Sequence, residues 1–318
     1  MQRILQRGEI EALDHNALPR LRLPARDGVF TARAARLRQL AADSPVGDYL
    51  LLMACLADAQ QRALGSLGEA SLSDSRVAPG ASADRIALAQ AHGMPPLQAV
   101  GWKRDVAWRE VLRALLDEVA RAPGVPGEAV QTCGAIRQAL DEDPGQIERL
   151  ADAVLAESQS GIDGAAAPFV MAALQVVWTD MATRFDTGQL PVVSPFGVCP
   201  LCGSLPVASV VRVGGQYQGY RYLCCPLCAV EWHMVRVKCS HCESTEGVAY
   251  HGIEGRSEAI KAESCDHCHV YRKIFYQEKD LNVEPVADDL ASLMLDVLMG
   301  EEGYSRASGN PLLWQDEE

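Results

Sequence analysis

Nine of the eleven cysteines fall between Cys199 and Cys268, and eight of them form four C-x-x-C pairs: Cys199/Cys202, Cys225/Cys228, Cys239/Cys242 and Cys265/Cys268. Two residues between sulfurs let one tight turn present both on the same side, and two such turns make a tetrahedral tetrathiolate site. The first two pairs recur 40 residues later as the last two, with 22 residues between pairs in each unit. This constant offset marks a tandem repeat of a C-x2-C-x22-C-x2-C module. The expectation is two metal ions per chain, one for each set of four thiolates. All-thiolate tetrahedra suit zinc or a single iron, and spacing does not separate the two. No ligand position stays open for an activated water, which argues against metal-assisted hydrolysis.

Each filled site adds a formal −2 relative to neutral thiols, taking the chain's −13 to about −17. Arg212, Arg221, Arg236 and Lys238 lie close enough in sequence to offset part of this, although solvated surface positions are the expectation for each. Cys224 breaks the repeat register and reads as a spare thiol beside the first site. His233, His241, His251, His267 and His269 also lie near the pairs, but four thiolates already fill a tetrahedron. Disulfide-bonded hairpins are the alternative, disfavoured because the opening MQRILQRGEIEAL has no apolar export-type stretch. Cys55 and Cys133 stand alone in helical surroundings and read as small buried hydrophobes.

A unit of about 30 residues buries too little apolar surface to fold alone, so a metal staple is expected in each. The 40-residue offset also aligns Pro206 to Val213 with Glu246 to Ile253, Tyr220 to Cys224 with Ile260 to Ser264, and Val230 to Arg236 with Val270 to Tyr276. Most of these stretches are rich in Val, Tyr, Trp and Phe, as strands are. Gly214-Gly215, Gly219, Gly252 and Gly255 supply turns. Two consecutive small antiparallel ribbons follow.

Upstream, apolar residues recur at three and four positions, as in Tyr49, Leu52, Met53 and Leu56, and in Trp108, Val111, Leu112, Leu115, Leu116 and Val119. Ala165 to Ala182 is apolar on nearly every side and reads as the central helix of a bundle, with Pro168 near its start. Breaks at Asp43-Ser44-Pro45, Ser71 to Ser82, Met94-Pro95-Pro96 and Pro123 to Gly127 leave room for six to eight helices, followed by a linker from Thr187 to Gly197. After Pro285 one further helix is expected, with Asp288 as N-cap and Leu290, Leu293, Met294, Val297 and Leu298 as its buried stripe. Asp289, Ser292 and Asp296 would then share the outer face, either simply solvated or engaging a basic client segment.

The chain's 318 residues, 48% hydrophobic and 22% charged, exclude a disordered chain or a disulfide miniprotein. Before residue 190 there are 19 basic and 24 acidic residues, and from there on 10 and 18, so both parts are acidic. A zinc-ribbon nucleic-acid binder therefore lacks its clustered cations. No run of about 20 uncharged apolar residues is present. The helical part carries no phosphate loop, HExxH pair or nucleophile elbow. A cytoplasmic, non-enzymatic protein is expected, with rubredoxin-like electron transfer as the rival.

The stretches CPLCGSLPVASVV (199 to 211), GYRYLCCPLCAVEWHMVRVKCSHC (219 to 242), KAESCDHCHVYRKIFYQEKD (261 to 280), ADDLASLMLD (287 to 296) and EGYSRASGNPLL (302 to 313) resemble the formate dehydrogenase accessory protein family, FdhE. The resemblance covers most of residues 195 to 313, and all eight paired cysteines match the family's ligand pairs. It implies an accessory factor for maturation of respiratory formate dehydrogenase that contacts the catalytic subunit, alone or with its twin-arginine leader, before export. It also implies rubredoxin-like sites in which iron is favoured over zinc. The expected architecture is an all-α domain (1–187), two tandem rubredoxin-like or zinc-ribbon-like metal-binding modules (188–238 and 239–283) and a C-terminal helix and tail (284–318). The client would bind across their junction.

Overall fold

The computed structural model describes residues 19–70, 82–158, 160–214 and 219–314. After a short strand β1 (Leu21–Arg22), seven helices follow: α1 (Val29–Ala41), α2 (Gly47–Ala70), α3 (Ala83–His92), α4 (Trp108–Arg121), α5 (Gly127–Glu142), α6 (Pro144–Leu155) and α7 (Ala167–Ala182). The stripe from Trp108 to Val119 is wholly buried, as its spacing predicts. All 16 residues of α7 are buried, and Pro168 sits in its first turn, where a missing N–H costs nothing. Apolar on nearly every side, α7 is the axis of the bundle. Its one internal amide, Gln175, is joined to α2 by Gln60, whose Nε2 donates to Gln175 Oε1 at 2.8 Å and to the Ala172 carbonyl at 2.9 Å. The breaks at Asp43 to Pro45 and Met94 to Pro96 fall between helices, and that from Pro123 ends on Gly127, the first residue of α5. The run from Ser71 to Ala81, the opening segment to Leu18 and Gly215 lie outside the described residues.

The expected linker is instead packed structure. Thr187–Gln189 form a 3-10 turn, Leu190, Pro191 and Val193 are buried, and Arg20 donates to the carbonyls of Leu190 at 2.6 Å and Pro191 at 2.8 Å.

Both expected ribbons form: β2 (Ala208–Arg212), β3 (Tyr220–Cys224) and β4 (Glu231–His233), then β5 (Val248–His251), β6 (Ile260–Cys265) and β7 (Val270–Tyr276). They are fused into one sheet of order β1-β4-β3-β2-β7-β6-β5, because β2 pairs in parallel with β7 from Ser209↔Ile274 to Val211↔Tyr276. Two separate ribbons would each leave an unpaired edge, and joining β2 to β7 satisfies both at once. Near its start β7 also pairs with β8 (Ser305–Arg306). Strand β7 is therefore interior, and all but its two end residues are buried.

The C-terminal helix differs from expectation. It is broken at Ser292 into α8 (Pro285–Ala291) and α9 (Leu293–Glu301), and the N-cap of α8 is Glu284, which accepts the Ala287 N–H at 2.8 Å. Asp288 and Asp289, expected as a cap and an outer-face residue, are wholly buried. Arg36 grips Asp288 through two nitrogens at 2.6 to 3.1 Å, while Lys273, Arg306 and Asn310 surround Asp289. Asp296 accepts from Tyr271 at 2.7 Å and Lys273 at 2.6 Å. Met294, Val297 and Leu298, expected inside, are exposed. Buried cations on β7 and α1 invert the helix's apparent polarity, which removes the proposed acidic client-facing surface. Among the described residues no helix is long and apolar enough to cross a membrane.

Candidate metal centres

Each C-x-x-C pair turns a tight knuckle. The residue after its second cysteine lies in the left-handed region in all four: Gly203 (φ 78°), Ala229 (57°), Glu243 (62°) and His269 (54°). Only the first knuckle uses glycine, the residue that adopts this conformation without strain. Backbone N–H groups point back at sulfur as the spacing predicts: Leu227 and Cys228 donate to Cys225 Sγ, and His241 to Cys239 Sγ, each at 3.4 Å.

The fold gathers the eight predicted cysteines into two groups of four, Cys199, Cys202, Cys225 and Cys228, and Cys239, Cys242, Cys265 and Cys268, with the sulfurs of each group within 4.8 Å of one another. Sulfur–sulfur distances include 3.5 Å (Cys199 to Cys228) and 3.4 Å (Cys202 to Cys225) in the first, and 3.8 Å (Cys239 to Cys268) and 3.7 Å (Cys242 to Cys265) in the second. A metal–sulfur bond of about 2.3 Å places tetrahedral ligands roughly 3.8 Å apart, so either group could hold one ion. Cys225 rather than Cys224 joins the first group, and neither group includes a histidine nitrogen. Cys224 is a separate buried thiol that burial pushes well above its usual range.

Thiol electrostatics agree with this fit. Burial pushes Cys199 and Cys228 far up, while hydrogen bonds from Cys199, Cys225 and Cys228 hold Cys202 well down against that same burial. In the second group, burial again works upward, but the Ser244 N–H and the neighbouring thiols bring Cys242 down to about 6. Buried thiols crowded in this way resist ionising together. A bound cation is what allows all four to ionise together.

The two groups have different surroundings. The first is sealed, with its sulfurs part of the same apolar core as α2, α4 and α7. Leu97 and Ala99 donate their N–H groups to the carbonyls of Leu201 and Cys202 at 3.0 and 2.8 Å, and Gln175 of α7 donates to the Pro226 carbonyl at 2.6 Å. In the second group Cys242 and Cys268 are partly exposed. The segment leading into the first knuckle also lies against the third, since a Cβ on Gly197 would meet the Ser240 carbonyl at 2.4 Å.

Sequence reasoning missed the charged groups behind these sites. Arg221, expected at the surface, is wholly buried and paired with Glu263 at 2.6 Å, and Arg212 is paired with Glu231. Gln175, Arg272 and Lys273 are likewise buried. Their one available signal was placement: polar residues within an apolar helix and a strand-like run. Cys133 is buried, with burial raising its thiol to about 11, whereas Cys55 is only half-buried.

Comparison with known proteins is consistent along the chain. Family models match in sequence order: FdhE, N-terminal (residues 18–194), FdhE, central domain (198–236) and FdhE, C-terminal domain (237–313). A Protein FdhE homolog of Cronobacter sakazakii is 40% identical over 99% of this chain and 98% of its own length. Protein FdhE of Escherichia coli K12 is 40% identical over 98% of this chain and 96% of its own. The crystal structure of the FdhE protein from Pseudomonas aeruginosa superposes with a TM-score of 0.77 at 37% identity, covering 94% of this chain and all of that one. Matched across its helical bundle and both four-cysteine groups, and similar over nearly its full length, this chain belongs to the FdhE family.

Proposed function

We propose that this chain is a cytoplasmic, non-enzymatic accessory protein in the maturation of respiratory formate dehydrogenase, binding the catalytic subunit before twin-arginine export. The observation that carries this reading is the nearly full-length similarity to FdhE proteins, which spans the bundle and both four-cysteine groups. In this reading Cys199, Cys202, Cys225 and Cys228 hold one metal ion, and Cys239, Cys242, Cys265 and Cys268 hold the second. Iron is favoured by the family resemblance, while the sulfur geometry suits iron or zinc. A bound ion supplies a cross-link and, as iron, a one-electron couple. The client docks across the junction of bundle and sheet, where loss of a metal would alter the surface it meets.

Electron transfer is the second reading, favoured by the partial exposure of Cys242 and Cys268. One experiment separates the two: co-purification with the catalytic subunit, and formate dehydrogenase activity in cells, for the wild type, Cys239→Ala and a zinc-loaded form. The accessory reading expects the zinc form to bind and support activity and Cys239→Ala to do neither. A zinc form that binds but leaves the enzyme inactive moves the assignment to electron transfer. Normal support by a Cys199→Ala, Cys239→Ala double mutant would sink both. Elemental analysis and absorption after anaerobic purification and oxidation should give two ions per chain, coloured if iron.

A further inference from the structure

Arg272, in the interior of β7, is buried with its charge incompletely matched. Its Nε donates to Ser240 Oγ at 2.9 Å and its Nη1 to Ser308 Oγ at 2.7 Å. Among the described residues, no carboxylate lies within ion-pair distance of it. Its register partner on β6, Glu263, is bound by Arg221 Nη2 at 2.6 Å. Arg221 in turn reaches the Lys238 carbonyl through Nη1 at 2.9 Å. Two buried guanidiniums thus share one carboxylate. The next acid, Glu157, interacts with Arg272 only at longer range, outside ion-pair distance, so among the described residues no carboxylate bonds the Arg272 guanidinium directly. Leaving a buried cation unmatched is costly, so a further anion is called for.

Placement shows where that anion belongs. Ser240 and Lys238 flank Cys239, so Arg272 and Arg221 reach the third knuckle on either side of its first sulfur. A filled tetrathiolate site carries a formal −2. The repeat provides an internal comparison, because positions 40 residues earlier than Ser240 and Arg272 are Pro200 and Trp232. Neither can bring a charge to the first site, and Trp232 spends its indole N–H on the Phe196 carbonyl at 2.8 Å. The first group is enclosed by core, the second by charge.

We propose that Arg272, seconded by Arg221, is the positioning counter-charge that keeps the second four-cysteine site in its metal-bound form, whereas the first site is held by burial. This rests on the reading that both groups bind metal. Side chains hydrogen-bonded around a metal site typically change its affinity 10–100-fold. The full-length protein, loaded with zinc, is challenged with increasing chelator, and released cysteines are alkylated and mapped by mass spectrometry. Arg272→Met should release Cys239, Cys242, Cys265 and Cys268 at about tenfold less chelator, Arg272→Lys should restore most of the retention, and the Cys199 set should stay protected throughout. Ser240→Ala, which keeps the charge but loosens its hold on the knuckle, should weaken the second site alone. Equal loss from both sites, a lysine variant no better than methionine, or wild-type retention in Ser240→Ala overturns the proposal, the last even where Arg272→Met does not fold. Wild-type protein that takes up no zinc overturns the metal reading itself, and this inference with it.

Discussion

Removing one cysteine from each four-cysteine group should have unequal effects on the helical bundle. Cys199→Ala opens a site whose knuckles are bonded to the bundle at Leu97, Ala99 and Gln175, all in or beside the main core. Three such bonds at about 1 kcal/mol net each set a floor of about 3 kcal/mol, rising to about 9 if each leaves a buried group unsatisfied. Total stabilities run at about 5–15 kcal/mol, so even the floor is a large fraction. At about 2–4 °C per kcal/mol, the melting temperature should fall by roughly 6–12 °C or more, with faster hydrogen exchange in α7. Cys239→Ala opens a site with two partly exposed sulfurs and, among the described residues, no such bond to α7, and should leave α7 exchange unchanged while exposing β5 and β6. Far-UV thermal melts and amide exchange by mass spectrometry measure both. Wild-type α7 protection in Cys199→Ala, or equal loss in Cys239→Ala, would refute the claim that the first site is part of the bundle's core.

Two further outcomes are expected. Asp289→Asn removes the carboxylate between Lys273 and Arg306 and should cost about 3–5 kcal/mol by leaving buried cations unmatched, read from denaturant midpoints. Although burial works the other way, those two cations hold Asp289 below its ordinary 3.8, so its contribution is present above that pH and lost as pH falls through the lower folded value. Acid titration of the wild type should therefore show a transition below pH 3.8 that Asp289→Asn lacks. Ala229→Gly relieves a left-handed residue worth about 1–2 kcal/mol at a chain-entropy cost of about 0.5–1, so a net gain of about 0–1.5 kcal/mol is expected. A lower melting temperature in that variant would contradict the strain assigned to the knuckle.

The two four-cysteine groups, the strand positions of both repeats and the central helix were legible in the sequence, because each rests on local spacing. A C-x-x-C turn, a 40-residue offset and an all-apolar stretch signal themselves without knowledge of their neighbours. What the sequence could not supply was which surface covers which. The parallel pairing of β2 with β7 joins residues more than 60 positions apart and leaves no local trace. The same holds for the charges: Arg221, Asp288 and Asp289 look like surface residues until their opposite numbers on β6, α1 and β8 are placed beside them. Once paired, they occupy the interior, and Met294 and Val297 of α9 are turned out to solvent instead. Repetition of eight cysteines predicted two four-thiolate sites. Tertiary packing made them unequal, because only the first is pressed into the helical core while the second sits at the sheet's surface against buried charge.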